Sequence, residues 1–284
     1  MMNVKFLNEE YVSDLLPKRP ETAHKGNFGR VLLICGSVGF TGAAELAAKA
    51  AARCGSGLIY VGVPDAVYPI VAGKLTEPMV FPLPSENGML SCNAAREVLK
   101  RLPNMDAVLL GPGLGKSEGV LMTVEAVLSE SRVPVVLDAD GINVLAEHRN
   151  VLRESKCPVI LTPHPGEFAR LGGALQGTSR EDAAVQLARE LGCICVLKGH
   201  GTVVTDGERV LVNTTGNPGM ATGGSGDVLA GMIVSLLGQH LTPLDASAAA
   251  VWLHGRAGDL CAEEIGQYGM LPSDLIQTLP RLLP

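Results

Sequence analysis

The sequence has few aromatic residues and lacks the long apolar runs of a membrane protein. Only 4 % of its 284 residues are aromatic, whereas 46 % are hydrophobic and 34 are glycine. The core must therefore consist mainly of Ala, Val, Leu and Ile packed around glycine turns, which is typical of parallel α/β proteins. No apolar run reaches the roughly 18 residues that a membrane span needs. The first ten residues carry acids where a signal peptide requires an apolar stretch. We expect a cytoplasmic protein with no membrane partner.

The sequence also lacks an excess of positive charge, and it lacks cysteines paired in motifs. The net charge is −6, the isoelectric point is about 5.6, and no basic stripe offsets these values. Nucleic acid is therefore excluded as a main partner. The seven cysteines form no Cys-x-x-Cys motif and no Cys/His pair at metal-ligand spacing, which indicates a reducing compartment and no structural zinc. Cys193 and Cys195 alternate on a predicted strand, so we expect them to pack in the core. We find no linker or repeat and predict one domain over residues 1–284.

Short apolar runs that end in loops rich in glycine, acids or histidine recur along the chain. They predict buried parallel strands at residues 30–35, 58–63, 106–110, 133–137, 158–161 and 193–197. Helices are predicted at residues 43–54, after a cap near Ser117, over residues 228–237, after Thr242 and from Ser273. Residues 203–213, with Asp206-Gly207 in the middle, predict a hairpin. Residues 1–29 are interpreted as a polar lead-in that ends in a flexible loop, His24–Gly29.

This alternation predicts an α/β fold with a mostly parallel sheet and right-handed crossovers. In such sheets, ligands bind outside the carboxyl ends of the strands. Because most of the glycines, acids and histidines directly follow strands, we expect their loops to line one crevice.

The stretch Asn217-Pro-Gly-Met-Ala-Thr-Gly-Gly-Ser-Gly-Asp227 joins a glycine loop to an apolar helix. Glycines let the backbone approach a ligand, and the free N–H groups of a helix start form a site for phosphate oxygens. The Asp227 carboxylate could accept a proton there. Alternatively, Asp227 or Ser225 simply caps the helix. Since Ser235 is the only polar residue over 228–237, the helix should be buried nearly all round.

Gly111-Pro-Gly-Leu-Gly-Lys-Ser117 resembles a phosphate-binding Walker loop but has three residues where that motif has four. We reject this interpretation and expect Lys116 on the surface. The Gly-x-Gly pattern either brings the backbone close to a ligand or forms a plain tight turn. The loop Gly36–Gly42 lacks dinucleotide-binding spacing, and no Gly-x-Ser-x-Gly elbow is present.

Five further polar positions each have two interpretations. His164 lies between two prolines that fix its backbone, which favours binding, yet the turn itself needs no histidine. Glu167 could support a magnesium ion through water or begin a helix. Asp138 and Asp140 could act in chemistry or form turns. Lys198, at a strand end before Gly199, either holds nucleotide phosphate or is solvated.

Together these stretches resemble the ADP- or ATP-dependent NAD(P)H-hydrate dehydratases, a family with the ribokinase-like fold. The resemblance covers residues 8 to 282, and its most specific parts are Thr162-Pro-His-Pro-Gly-Glu167 and Asn217-Pro-Gly-Met-Ala221. The other parts are His24–Gly29, Gly36-Ser37, Gly111–Gly115, Asp138–Asp140, Lys198-Gly199 and Thr222–Asp227. The resemblance implies an α/β fold with helices on both faces of the sheet. Many relatives carry an epimerase domain ahead of the dehydratase, and we expect none in this chain.

The resemblance also implies site residues. Asp227 would be catalytic. The residues that would contact the hydrated dinucleotide are Ala43, Gly113, His164 and Asp227. The residues that would bind the nucleotide are Lys198, Gly199, His200, Gly201, Thr202 and Gly226. No metal ligand follows from the resemblance, and His24 and Lys25 stay unassigned.

The activity that the resemblance implies is repair of the S form of hydrated NADH or NADPH by dehydration, a lyase reaction. ADP or ATP would be the co-substrate, with Mg²⁺, and the enzyme would be a homotetramer. The main alternative is a ribokinase-like kinase of the hydroxyethylthiazole or hydroxymethylpyrimidine type, whose product keeps its phosphate. A nucleotide-sensing module without activity is a third possibility, against which the intact glycine loop and Asp227 count.

Overall fold

The computed structural model describes residues 4–284. Its strands are β1 (Val4–Phe6), β2 (Arg30–Ile34), β3 (Leu58–Pro64), β4 (Met79–Leu83), β5 (Ser85–Glu86), β6 (Met89–Leu90), β7 (Ala107–Leu110), β8 (Val135–Leu137), β9 (Val159–Leu161), β10 (Ile194–Leu197), β11 (Val203–Thr205) and β12 (Val210–Val212). Its α-helices are α1 (Glu9–Leu15), α2 (Thr41–Arg53), α3 (Tyr68–Ala72), α4 (Ala94–Leu99), α5 (Glu118–Glu130), α6 (Asp140–Asn143), α7 (Asn150–Arg153), α8 (Pro165–Arg170), α9 (Arg180–Leu191), α10 (Ser225–Gly238), α11 (Pro243–Ile265) and α12 (Pro272–Thr278).

Ten of these strands form one sheet in the order β1-β12-β11-β10-β9-β8-β7-β2-β3-β4. β11 runs antiparallel to both of its neighbours, and the other neighbouring pairs are parallel. The predicted mostly parallel α/β fold is therefore confirmed. The strands expected from apolar runs, and the β11–β12 hairpin, lie within two residues of their predicted bounds. β5 and β6 form a separate antiparallel pair.

Apolar side chains cover both faces of the sheet, because successive residues of a strand point to opposite sides. Val31 and Leu33 belong to the apolar cluster that includes α2, α10 and α11, whereas Leu32 and Ile34 belong to the cluster on the opposite face, which includes α4, α5 and α9. Helices therefore lie on both faces, as expected. Burying each large apolar side chain stabilises the fold by about 1.5 to 3 kcal/mol. Both Cys193 and Cys195 are buried in the second of these clusters, which confirms the prediction for them.

Helix α10 is the most deeply buried helical segment at the site. Every residue from Val228 to Gly238 is buried, which confirms the prediction for residues 228–237. A methyl group added at Gly231 would collide with the Ala47 carbonyl oxygen of α2, so a glycine is required for this close helix contact. The start of α10 is therefore anchored in the core.

The interpretation of residues 1–29 as a lead-in with a flexible loop was wrong for the described part, and residues 1–3 lie outside the described residues. β1 pairs in parallel with β12, and α1 is capped by Asn8, whose Oδ1 accepts a hydrogen bond from the Tyr11 N–H at 2.9 Å. The segment Lys25–Phe28 is a 3-10 turn that His24 caps. β1 was missed because three half-exposed residues carry no apolar pattern.

The loops that follow the central strands meet at one edge of the sheet. The Gly36 N–H donates to the Pro112 carbonyl at 2.7 Å, and the Gly115 N–H donates to Asp140 Oδ2 at 2.8 Å. The Lys198 N–H donates to the Pro163 carbonyl at 2.9 Å. Thr162 Oγ1 donates to Asp138 Oδ1 at 2.6 Å. Together these bonds connect the loops after β2, β7, β8, β9 and β10, as the predicted crevice requires. Within residues 4–284, none of the helices is both long and apolar enough to cross a membrane.

Candidate active site

The glycine loop leaves the start of α10 open. Gly224 is the N-cap residue, with φ of +99°, and no side chain caps the helix. The interpretation of Ser225 or Asp227 as a cap was therefore wrong. Among residues 4–284, we find no acceptor for the peptide N–H of Gly226 or of Asp227. Both donors, at the positive end of the helix dipole, are free to bind an anion.

Asp227 has an unusual proton affinity for an aspartate. Burial raises the pKa of its carboxyl to about 7, and the negative charges of Asp138 and Asp140 add to this, while Lys198 opposes it. Burial disfavours the charged form, and like charges disfavour it further. A carboxylate with a pKa near neutrality is suited to accept a proton in a reaction.

Lys198 is held between buried carboxylates beneath the glycine loop. Its Nζ lies 2.7 Å from Asp138 Oδ1 and 3.8 Å from Glu167 Oε2, and only 19 % of its side chain is exposed. Burial alone would lower the pKa of Lys198, but the charges of Asp138 and Glu167 outweigh it and raise the pKa. A methyl group added at Gly226 would lie 3.4 Å from Nζ. The interpretation of Lys198 as a solvated lysine was therefore wrong.

Asp138 does more than form a turn. It is 1 % exposed, and its Oδ1 accepts hydrogen bonds from Thr162 Oγ1 at 2.6 Å and from Lys198 Nζ at 2.7 Å. Its Oδ2 faces the glycine loop, 4.0 Å from the point where a methyl group at Gly226 would lie. Asp140, in contrast, accepts from the Gly115 N–H and from Asn143 Nδ2, which fits the turn-forming interpretation.

The residues from Lys198 to Thr202 form a tight turn directly after β10. Gly199 and Gly201 have φ of +145° and +63°, a region that favours glycine. Thr202 Oγ1 donates to the Gly199 carbonyl at 2.9 Å and lies 3.3 Å from the Gly199 N–H. Gly199 and His200 are exposed, so the turn is accessible from the crevice.

A second group of residues that the resemblance assigns to the site lies in the loop after β7 and at the start of α2. A methyl group added at Gly113 would lie 2.8 Å from Phe40 Cβ and 2.9 Å from Ala43 Cβ. Gly113 has φ of +64°, and a methyl group at Gly111 would collide with the Asp138 carbonyl oxygen. The Gly-x-Gly pattern thus brings the β7 loop against the start of α2 and the β8 loop. As predicted, Lys116 is exposed.

His164 begins helix α8 and is half exposed. Its Nδ1 accepts from the Gly166 N–H at 2.9 Å, and its own N–H donates to Glu167 Oε2 at 2.8 Å, which is a reciprocal cap. Glu167 is buried in the first turn of α8, so the helix-start interpretation of Glu167 holds. Its carboxylate also faces Lys198, which connects His164 to the centre of the site.

Sequence reasoning missed two side chains that support these loops. His254 on α11 is buried, and its Nε2 lies 3.3 Å from Ser225 Oγ at the start of α10. Burial lowers the pKa of His254 to about 4, so the ring is neutral at physiological pH. Arg180, the first residue of α9, donates to the carbonyls of Leu197 and Lys198. Neither residue follows a strand, which was the signal used to find the others.

The sheet order, the crevice and the glycine loop at the start of α10 define a ribokinase-like α/β protein. A ribokinase-like superfamily protein from Enterococcus faecalis has a TM-score of 0.85 to this structure, with 29 % identity over 98 % of this chain and 94 % of that one. The chain belongs to the NAD(P)H-hydrate dehydratase family, whose sequence model matches residues 31–281.

The similarity to a protein and to a crystal structure from Bacillus subtilis agrees with this family membership. The chain is 39 % identical to the ADP-dependent (S)-NAD(P)H-hydrate dehydratase over 99 % of its length and 98 % of that protein. The crystal structure of the ADP/ATP-dependent NAD(P)H-hydrate dehydratase, co-crystallised with ATP/Mg²⁺, has a TM-score of 0.85 at 34 % identity, covering 99 % and 98 % of the two chains. The chain spans about half the length of the bifunctional NAD(P)H-hydrate repair enzymes that it also matches.

Proposed function

We propose that the protein dehydrates the S form of hydrated NADH or NADPH, using ADP or ATP as co-substrate, and so restores NAD(P)H. The observation that carries this proposal is the pKa of about 7 of Asp227, at a helix start with free peptide donors and beside Lys198. The B. subtilis relative at 39 % identity is named for this reaction with ADP, which supports ADP as the preferred nucleotide.

The proposed binding residues fall into two groups on either side of Asp227. The nucleotide binds to Lys198, Gly199, His200, Gly201, Thr202 and Gly226. The hydrated dinucleotide binds to Ala43, Gly113, His164 and Asp227. Three observations support this division: the exposure of Gly199 and His200 in the turn, the ammonium beneath Gly226, and the close approach of Gly113 to Ala43. It brings the terminal phosphate and the substrate hydroxyl together at the Asp227 carboxylate.

The chemistry explains why a dehydratase needs a site of the kinase type. Hydroxide is a poor leaving group because water has a pKa of about 15.7, against about 6 for the second ionisation of a phosphate ester. Asp227 takes the proton of the C6 hydroxyl. At the same time, the hydroxyl oxygen bonds to the terminal phosphorus of the nucleotide, and the bond between that phosphorus and the rest of the nucleotide breaks. The ring nitrogen then supplies the electron pair that expels phosphate, and loss of a proton from the adjacent ring carbon restores the dihydronicotinamide.

Mg²⁺ would neutralise charge on the transferring phosphoryl group. Within residues 4–284, no group of three or more His, Cys, Asp or Glu side chains is arranged to hold a metal ion. In proteins, magnesium usually keeps several waters and binds through one or two carboxylates plus substrate phosphates. Asp138 would hold it, because its Oδ2 faces the glycine loop while its Oδ1 binds Lys198.

The remaining proposals concern the whole protein. We propose a homotetramer in the cytoplasm, with residues 1–284 as one dehydratase domain. The seven free cysteines and the net charge of −6 support a reducing compartment and a small-molecule partner. Gel filtration with light scattering measures the oligomeric state, and any mass other than that of four chains contradicts the tetramer.

The deciding experiment incubates the protein with hydrated NADH and either ADP or ATP. Recovery of the near-ultraviolet absorbance of the reduced nicotinamide, dependent on the nucleotide, supports dehydration. The alternative is a kinase, and a hydroxyethylthiazole kinase from Pyrococcus horikoshii shares the fold at 18 % identity and a TM-score of 0.57. A stable phosphorylated thiazole or pyrimidine alcohol, with no recovery of absorbance, would contradict the proposed reaction.

A further inference from the structure

Arg180 lies beneath the turn that the proposed function assigns to the nucleotide. It is the first residue of α9, whose N-terminal end is at the same edge of the sheet as the crevice. Its Nη2 donates to the Leu197 carbonyl at 3.0 Å and to the Lys198 carbonyl at 3.1 Å. A methyl group added at Gly199 would lie 3.0 Å from the same nitrogen. The guanidinium therefore supports the backbone from the end of β10 into the turn.

The stability of α9 does not explain an arginine at this position. A cation in the first turn of a helix opposes the helix dipole, and acids are favoured there. The Arg180 Nε is buried and has no hydrogen-bond partner among residues 4–284, which is unfavourable for folding. The presence of an arginine at this position is therefore explained by its hydrogen bonds to the two carbonyls.

Holding those carbonyls determines where the neighbouring N–H groups point. The C=O and N–H of one planar peptide point in opposite directions. Since the Lys198 carbonyl faces Arg180, the Gly199 N–H faces away, toward Thr202 Oγ1 at 3.3 Å. The Lys198 N–H donates to the Pro163 carbonyl, and its ammonium binds Asp138. Lys198 is thus fixed at both ends of its backbone and at its side chain.

We propose that Arg180 is a positioning residue of the nucleotide site. By holding the carbonyls of Leu197 and Lys198, it fixes the backbone from which the Lys198 ammonium and the rest of the Lys198–Thr202 turn reach the nucleotide. This inference rests on the proposed function, because it takes the Lys198–Thr202 turn as the nucleotide site. A planar guanidinium bridges two carbonyls with one nitrogen in a fixed orientation, which a flexible lysine ammonium does not reproduce.

The experiment titrates ADP by calorimetry into the wild-type protein and into Arg180→Met, Arg180→Lys and Arg189→Met. Arg189 is the matched control, because it lies on the same helix and its Nε donates to the Gly207 carbonyl at 2.6 Å, in the β11–β12 turn. We expect both Arg180 variants to bind ADP about tenfold or more weakly, whereas Arg189→Met binds as the wild type does. The KM for hydrated NADH should change by less than about twofold, and the Tm should not fall below that of Arg189→Met.

Three results would overturn the inference. They are wild-type ADP affinity in Arg180→Met, retained affinity in Arg180→Lys, and an equal loss in Arg189→Met. An equal rise in the KM for hydrated NADH would also overturn it, because a general disturbance of the fold moves both constants. If Arg180→Met does not fold, Arg180→Lys gives the same comparison. A wild-type protein that binds ADP without dehydrating the substrate contradicts the proposed function and leaves the Arg180 comparison intact.

Discussion

Lys198 Nζ lies 2.7 Å from Asp138 Oδ1, and this ion pair controls the charge around Asp227. Lys198 lowers the pKa of the Asp227 carboxyl and Asp138 raises it. Because the two opposite charges are paired, their effects at Asp227 largely offset each other, and burial is left to hold the pKa near 7. The sheet supplies this arrangement by ending β8 and β10 close together at the same edge.

Removing the negative charge of Asp138 should lower the pKa of Asp227. In Asp138→Asn, Lys198 is left as the stronger charge and favours the ionised carboxylate. We expect the acidic limb of the kcat/KM profile, which reports the free enzyme, to move below its wild-type position near pH 7. The measurement is the dehydration rate against pH at constant ionic strength. A limb at the wild-type pH in this variant would contradict the coupling between the two carboxylates.

Replacing the proposed base should stop the reaction while nucleotide binding persists. Asp227→Asn keeps the size of the side chain but cannot take a proton, and positioned bases typically contribute about 10² to 10⁴-fold to a rate. We expect kcat to fall by about that factor. ADP binding, measured by calorimetry, should be retained, because the free amides of Gly226 and Asp227 are unchanged. Dehydration at the wild-type rate would exclude Asp227 as the base.

The same substitution should stabilise the protein at alkaline pH. The pKa of Asp227 is raised to about 7 from its ordinary value of 3.8, so at a pH between these two values the folded state holds a proton that the unfolded state has lost. The unfolding free energy of the wild type therefore decreases as the pH rises between these two pKa values. Asp227→Asn has no carboxyl at this position, so its stability does not decrease in this way. We expect its advantage in unfolding free energy to grow by up to about 3 kcal/mol between about pH 5 and about pH 8. Urea denaturation at both pH values measures it, and an advantage that shrinks with rising pH would contradict the raised pKa.

The sequence predicted the parts of the fold that have long apolar runs. β2, β3 and the buried helix α10 were found because each is a nearly continuous apolar run, interrupted only by Gly62 in β3 and by Gly231 and Ser235 in α10 after Asp227. β1 and β4 were not found, because an edge strand needs only part of one face buried, and β4 contains Pro82. The crevice lined by loops after strands was predicted from the topology of a parallel sheet, whereas the individual site residues were implied by the resemblance to the family. His254 and Arg180 were not predicted, because neither follows a strand and their contacts depend on how α11 packs beside α10 and how α9 packs beside β10.

The ammonium of Lys198 should be reachable by phosphate only because residue 226 is a glycine. A methyl group there would lie 3.4 Å from Nζ, and the backbone conformation at Gly226 suits any residue. Gly226→Ala should therefore fold normally, with a stability at or slightly above that of the wild type, because alanine favours helices. We expect ADP to bind about tenfold or more weakly, since the methyl group occupies the approach to the ammonium.

Gly42→Ala is the matched control for this variant. Gly42 is the second residue of α2, as Gly226 is of α10, and a methyl group added at Gly42 meets nothing within 4 Å. Calorimetric titration with ADP and thermal unfolding are compared for the two variants. Equal ADP affinity in Gly226→Ala and Gly42→Ala would show that phosphate does not approach Lys198 across residue 226.

His164 combines a structural role with the proposed contact to the hydrated dinucleotide, and two substitutions separate them. His164→Ala removes the Nδ1 acceptor of the Gly166 N–H and should cost about 0.5 to 2 kcal/mol of stability, as the loss of other helix caps does. His164→Asn keeps an acceptor suited to the cap but removes the imidazole Nε2. We therefore expect His164→Asn to retain the wild-type Tm while its KM for hydrated NADH rises and its affinity for ADP does not change. Steady-state kinetics with each substrate varied in turn measure the two constants. If instead KM follows Tm across the two variants, the effect of His164 on the substrate passes through the start of α8, and the imidazole itself makes no contact with the dinucleotide.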